Sequence, residues 1–409
     1  MASDRQREAG LKGYRQQHPP SEITSIQQFQ QEIEREGFPP PPQGPPQCVP
    51  RIILLEDCHR QEVRQACERF TTQFAHDDDD DEATGTASGK FRNRLRKSSF
   101  ELPLLASLLE KIPQDLHGGP GITILRGFDC SSAGRPIPEI LTEFAGVASH
   151  VAPERVRQSH LNMVVHITPP PDRVDDAATS TSQHEARPPP YRTSKMAFHT
   201  DRAGDVVAMF VIRPAPHGGG DGLFASVDSV YGHLYRHHPD LLLELIRPDH
   251  DWPFYEPNRA VMFLGPKSDA PEMLFSRGLL GQHTITPKQR AALDAVESAA
   301  GAVSFKVQYQ AGDMVFFNNR RILHAREAFS ISDPSCLVTS STSLGVGEEG
   351  GIISNASMAG DGDKPPARRH MLRLWLADPA LAGTPPWGDH NRGRLHVSDG
   401  EWPEGPTYD

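Results

Sequence analysis

Short apolar runs bounded by turn residues recur along most of this chain. GITILRGF (121–128), MVVHI (163–167), the stretch from His199 to 212, AVMFL (260–264), VSFKVQY (303–309) and DMVFFNN (313–319) are each four to a dozen or so residues long. Runs that short, rich in Val, Ile and Phe and closed by Gly, Pro or Asn, predict strands. Ile52–Leu55 predicts another. Helical spacing is found elsewhere. Ile26, Phe29 and Ile33 share one face, with Gly37 as a stop, and Asp57 is placed to cap a helix running to about Phe74. ELPLLASLLEKI (101–112) and PEILTEFAG (138–146) read as helices, and LFASVDSVYGHLY passes from strand to helix. His238-Pro239-Asp240 before LLLELI is a helix start. Many short strands with turn signals predict a mainly β architecture, a barrel or sandwich with surrounding helices. There is no internal repeat, and no GxGxxG opens a helix, which disfavours a dinucleotide fold.

The pattern also divides the chain. Residues 1–50, polar and then Pro-rich (PPPPQGPPQ, 39–47), read as an N-terminal extension with one helix. Residues 51–387 read as one folded domain with loops at 76–90, 168–190 and 330–366, and 388–409 as a tail. The net charge of −11 owes much to Asp77-Asp78-Asp79-Asp80-Asp81-Glu82, read as a solvated loop. The remainder is close to neutral and carries no basic patch suited to nucleic acid. The polar start lacks the apolar core of a signal peptide, and no apolar run is long enough to span a bilayer, so a cytoplasmic protein without a membrane partner is expected. Cys48, Cys58, Cys67, Cys130 and Cys336 are scattered and odd in number, which predicts free thiols.

Chemistry enters with His-x-Asp, which occurs three times. His76/Asp78 opens the acidic loop and His238/Asp240 starts a helix, so neither is rigidly paired. His199 and Asp201, in FHTDRAGD, lead directly into VVAMFVI. On a strand, residues two apart share a face, so this pair aims an imidazole and a carboxylate at one point. His324, in NNRRILHARE, shares a strand face with Ile322 and is a third candidate. The alternative is that each histidine is a core residue bonded to a carbonyl. Two histidines and one carboxylate form the facial triad of non-haem Fe(II) oxygenases, with positions left open for a 2-oxo acid and dioxygen. Arg369, Met371 and Arg373 alternate on one face of RRHMLRLWL. A guanidinium fork there would bind a carboxylate and stay charged when buried.

Across roughly 120–380, these residues resemble the taurine dioxygenase (TauD/TfdA) family of Fe(II)/2-oxoglutarate dioxygenases. ITILRGF is similar to its early strand, FHTD to its first two ligands, GGGDG to its Gly-Gly-Asp-Thr loop, and NNRRILHARE and RRHMLRLWL to its distal histidine and arginine strand. The wording is closest to fungal taurine hydroxylase-like proteins, often tied to secondary metabolism. The resemblance implies a double-stranded β-helix (jelly roll) of clavaminate synthase-like type. It also implies Fe(II) on His199, Asp201 and His324, the cosubstrate 2-oxoglutarate on Arg369, dioxygen, and oxidation of a small-molecule substrate. Arg373 matches a second arginine that reaches an anionic substrate group. The family's Thr is replaced by Gly222, with Ser226 as a stand-in hydroxyl. A non-catalytic metabolite-binding relative and a metal-dependent hydrolase on the same barrel are the rival readings. Phe198 and Trp375 are expected to pack in the core beside the pocket.

Overall fold

A computed structural model describes residues 11–13, 16, 22–42, 49–75, 89–130, 135–158, 162–169, 189–249, 252–253, 259–280, 284–331, 368–385, 400–403 and 405. The acidic run, and most of the 168–190 and 330–366 loops read from the sequence, lie outside these residues. The strands are β1 (Arg51–Leu54), β2 (Ile122–Arg126), β3 (Glu154–Val156), β4 (Val164–Ile167), β5 (Met196–His199), β6 (Val206–Arg213), β7 (Gly222–Ser226), β8 (Met262–Leu264), β9 (Pro271–Met273), β10 (Phe305–Val307), β11 (Asp313–Asn318), β12 (Ile322–Arg326) and β13 (His370–Ala377). The main helices are α1 (Glu22–Arg35), α2 (Asp57–Phe74), α3 (Ala106–Leu109), α4 (Lys111–Gly118), α5 (Ile137–Ala148), α6 (Val227–His237), α7 (Pro239–Ile246) and α8 (Pro287–Val303).

The major sheet runs β1-β2-β11-β6-β13-β3, with β4 also on β13, and the minor sheet runs β10-β7-β12-β5. Apart from the parallel β1–β2 pair, the ladders are antiparallel. Residue alternation fixes what each face meets. Val207, Met209 and Val211 of β6 point inward and pack with Met371, Trp375 and Phe317 against Phe224 and Ile322 of the minor sheet. Ala208, Phe210 and Ile212 point outward to α2 and α5 through Val63, Phe70, Ile140 and Phe144. On the far side, Ala225, Leu323 and Ala325 meet α6, α7 and α8. Helices thus cover two facing sheets, whose inner faces enclose the space into which the site residues project. This is the jelly roll, mainly β with surrounding helices.

Several elements differ from the sequence expectation for identifiable reasons. The stretch 199–212 is two strands, β5 and β6, separated by a turn at 200–205. Gly204 makes this turn with φ of 80°, and a Cβ there would press within 3.0 Å of the Leu376 carbonyl. ELPLLASLLEKI does not form one helix but breaks into α3 and α4. Pro113 has no N–H for the Leu109 carbonyl and its ring crowds that carbonyl, so a continuous helix stops there. Helix α8 was not anticipated, although Thr286 and Gln289 form a reciprocal capping box at its start.

Described residues on both flanks of the domain pack into it. Ile33 and Phe38 are buried in the cluster formed by α6, α7 and α8. The Tyr235 hydroxyl donates to Glu34 Oε1 at 2.7 Å, and the Tyr231 hydroxyl to the Pro39 carbonyl at 2.6 Å. At the other end, Trp402 is 1% exposed inside the α2–α5 core. Its indole N–H donates to Asn93 Oδ1 at 2.8 Å, and the Met163 N–H donates to the Glu401 carbonyl at 2.9 Å. The free cysteines among the described residues are Cys58, Cys67 and Cys130. None of the helices among the described residues is long and apolar enough to cross a membrane.

Beside Trp402, His166 Nε2–H donates to the Pro403 carbonyl at 2.7 Å, so its Nδ1 accepts from His370 Nε2–H at 2.9 Å. Both imidazoles are held below their ordinary value, first of all by burial, and His370 falls to about 3. Each is therefore neutral when folded and takes up a proton on unfolding below about pH 6.5. The stability carried by His370 is fully present above that value and declines by about 1.4 kcal/mol per pH unit as the pH falls toward 3, and His166 acts in the same direction. Urea midpoints measured between pH 7 and 4 should fall, and less steeply in His370→Gln. Trp402→Ala should cost about 3–5 kcal/mol in the same measurement, whereas a loose tail would leave the midpoint unchanged.

Candidate metal centre

His199 ends β5 and stands directly opposite His324 of β12 in the antiparallel ladder. Their ring centroids are 4.1 Å apart. Asp201 is not on the strand. It sits in the turn after β5, so turn geometry, rather than strand alternation, brings its carboxylate to the imidazoles. Asp201 Oδ1 is 3.8 Å from His199 Nε2 and 3.9 Å from His324 Nε2. One potential ligand atom from each of the three residues falls within 4.8 Å of the others.

The turn is clamped on both sides. Thr200 exchanges hydrogen bonds with Phe275: its N–H donates to the Phe275 carbonyl at 2.7 Å, and its hydroxyl accepts from the Phe275 N–H at 2.9 Å. Asn319, fully buried between β11 and β12, grips the next residues. Its Oδ1 accepts from the Asp201 N–H at 2.7 Å, and its Nδ2 donates to the Asp201 and Gly204 carbonyls, each at 3.0 Å. One buried amide thereby fixes the hairpin that carries His324 against the turn that carries Asp201.

The ionisation states suit a divalent cation. His199 Nδ1–H donates to the Ala197 carbonyl at 2.9 Å, which fixes the tautomer and leaves the Nε2 lone pair free for a metal. Burial holds both imidazoles below their ordinary value, His324 by the larger margin, so both are neutral. Burial alone would raise Asp201. Arg373 first of all, with the Trp375 indole, outweighs it, and the carboxyl lies below its usual value. Arg373 Nη1 donates to Asp201 Oδ1 at 3.1 Å, and the Trp375 indole to Oδ2 at 2.7 Å. Gln158 Oε1 orients Arg373 by accepting from its Nε at 2.7 Å. His324 Nδ1 is buried without a hydrogen-bond partner. Two neutral imidazoles and an ionised carboxylate, with their donor atoms this close, fit a ferrous ion.

The remaining arginine candidate forms no hydrogen bond or ion pair with the triad. Arg369 is 3% exposed and forms no salt bridge with a carboxylate among the described residues. Its guanidinium lies 5.6 Å from the Phe329 ring centre, and burial brings it down to about 10. A second buried guanidinium, Arg326, shares Phe329 at 5.0 Å. Arg326 donates to the carbonyls of Pro190, Arg192 and Ser194, holding the segment that leads into β5. Arg369 lies one residue before β13, whose register with β6 shifts between His370 and Met371, so the expected alternation of Arg369 with Met371 and Arg373 on one strand face is interrupted; β13 itself lies between β6 and β3/β4 in the major sheet. Ser226, at the end of β7, is the N-cap of α6. Its hydroxyl accepts from the Ser229 N–H at 3.2 Å and lies 2.7 Å from the Ser229 hydroxyl. Phe198 packs in the outer core of the minor sheet. Trp375 packs in the inner core while bonding Asp201. The sequence reading missed Asn319 and Gln158 as positioning residues. The Asn318-Asn319 hairpin gave a signal for the first, while nothing local marks the second.

Residues 87–338 match the family described as Taurine catabolism dioxygenase TauD, TfdA family, a span that contains the triad and ends before Arg369. A "Taurine hydroxylase-like protein SAT17" from Stachybotrys chartarum (strain CBS 109288 / IBT 7711) is 28% identical over 260 residues, which cover 58% of this chain and 63% of that protein. The chain thus spans less than two thirds of that relative. Asparagine oxygenase in complex with Fe(II), 3-hydroxyasparagine and succinate superposes with a TM-score of 0.54 at 15% identity, over 82% of this chain and 98% of that one. The non-haem iron oxygenase OrfP in complex with Fe and alpha-ketoglutaric acid gives 0.51 at 13% identity, over 80% and 94%. At such identities the two structures establish the shared fold. With more than half of its length matched by the family, the chain belongs to the taurine catabolism dioxygenase TauD, TfdA family.

Proposed function

We propose that this protein is an Fe(II)- and 2-oxoglutarate-dependent dioxygenase. It hydroxylates, or otherwise oxidises, a small organic substrate of a fungal biosynthetic pathway. The observation that carries the reading is the meeting of His199, Asp201 and His324 inside a barrel that also buries Arg369 without a carboxylate partner among the described residues. Family membership supports the reaction type. The fungal taurine hydroxylase-like relative supports hydroxylation and the fungal setting.

A ferrous ion with bound 2-oxoglutarate supplies the activation of dioxygen, releasing succinate and carbon dioxide as the keto acid is decarboxylated. His199, Asp201 and His324 would hold the ion, with the histidine tautomer set by Ala197 and the carboxylate kept charged by Arg373 and Trp375. Arg369 would bind the distal carboxylate as a fork, undiluted by water because it is buried. Val207, Met209, Phe317 and Phe224 wall the interior with apolar surface and exclude water from the reacting atoms. Gly222 favours a second reading: a family hydroxyl is missing there, as expected of a metabolite-binding relative that no longer turns over. Iron retention without 2-oxoglutarate affinity would identify that case.

Purified protein given Fe(II), ascorbate and 2-oxoglutarate should release succinate, at a rate raised by the true substrate. His324→Ala should lose bound iron, measured by elemental analysis, together with succinate release. Arg369→Gln should keep iron while its 2-oxoglutarate dissociation constant rises about a hundredfold, as expected for a lost charge-assisted pair. Tight keto-acid binding in Arg369→Gln would remove the arginine from the assignment.

A further inference from the structure

Gly222 leaves a gap in the hydroxyl set of the keto-acid site, and the structure shows what fills the space. Gly222 pairs with Val307 across the β7–β10 ladder. Tyr309, two residues beyond Val307, joins the same inner cluster of buried side chains. A Cβ built on Gly222 would collide with the Tyr309 hydroxyl, lie 2.8 Å from its Cζ and lie 2.7 Å from the Phe224 ring. The phenol tip therefore occupies the volume a side chain at 222 would need. The absence of a side chain at 222 and the presence of the phenol form one arrangement.

The surroundings of that tip suit an anion. A Cβ built on Gly220, two residues before Gly222, would lie 3.3 Å from Arg369 Nε, which brings that guanidinium to the same stretch of chain as the phenol tip. The phenol interacts electrostatically with Arg369 first, then with the Asp221 and Asp313 carboxylates and with Arg326. Arg369 has no salt bridge to a carboxylate among the described residues, and the Arg326 Nε is buried without a hydrogen-bond partner. Burial pushes the phenol up to about 12, so at neutral pH it keeps its proton and acts as a donor. Ser226, the stand-in hydroxyl at the end of β7, is already engaged in capping α6.

We propose that the Tyr309 hydroxyl, beside Arg369, donates to the distal carboxylate of the keto acid and replaces the hydroxyl that residue 222 lacks. This rests on the dioxygenase reading above. The test is anaerobic calorimetric titration of Fe(II)-loaded protein with 2-oxoglutarate and with 2-oxopentanoate, which carries a methyl group where 2-oxoglutarate has its distal carboxylate. Tyr309→Phe removes one oxygen and keeps the ring. It should weaken 2-oxoglutarate by about tenfold or more while leaving 2-oxopentanoate within about twofold. The quantity read is the ratio of the two affinities on one preparation, which cancels any loss of folded protein. An unchanged ratio in Tyr309→Phe, with wild-type protein binding 2-oxoglutarate, overturns the role of Tyr309 and leaves the dioxygenase reading standing. Wild-type protein that takes up iron and fails to bind 2-oxoglutarate overturns both.

Discussion

A carboxylate placed between two imidazoles inside a barrel must remain charged in a medium that opposes charge. Asp201 is 6% exposed, and its burial alone favours the protonated acid. Donors on both of its oxygens reverse the balance, Arg373 on one and the Trp375 indole on the other. A lone buried charge would be costly, whereas a charge met by a cation and an oriented dipole is tolerated. The rest of the local architecture serves this condition. β13 lies between β6 and the edge strands β3 and β4, and residues 373 and 375, alternate along it, reach the same carboxylate. The Asn319 amide then fixes the distance between that carboxylate and the hairpin bearing His324.

The two sheets divide the chemistry between them. The minor sheet carries both histidines as a registered pair, and the major sheet carries the groups that control the acid between them. A change in how the sheets pack would therefore alter the metal geometry directly. The aromatic and β-branched residues of the inner cluster set that spacing: Phe224 packs edge-on against Phe317, with ring centres 5.5 Å apart. Packing in this layer is part of the site, because interiors at crystal-like density pass small shifts on to their neighbours.

Much of this was legible in the sequence. Short apolar runs located most strands, since burial on both faces leaves few polar positions to confuse the period. His199, Asp201 and His324 were found by residue type and spacing, although the reason offered for the first two was wrong in detail: Asp201 belongs to a turn, which periodicity does not reveal. The division between Leu109 and Lys111 was signalled by Pro113, which was readable but was outweighed by the apolar period. Trp402 was read as tail because a single tryptophan among polar and Pro residues has no period at all. Gln158 and Tyr309 owe their positions to contacts across the sheets, and long-range contacts of this kind leave no local trace. The docking of α1 was hidden for the same reason: Glu34 and Tyr235 are adjacent only once the chain has folded.

The two arginines of β13 and its entry differ in how far their charge is already answered. Arg373 has an anion and an amide in place, Asp201 and Gln158. Arg369 forms no salt bridge among the described residues; the Asp221 carboxylate and the Tyr309 phenol act on it only at longer range, and it faces a second guanidinium. The less fully answered charge is thus that of Arg369. An elongated diacid, with a chelating head at one end and a carboxylate at the other, would answer it. A molecule entering on the Arg373 side meets a guanidinium that is already neutralised, so charge balance alone imposes no sulfonate or carboxylate on it.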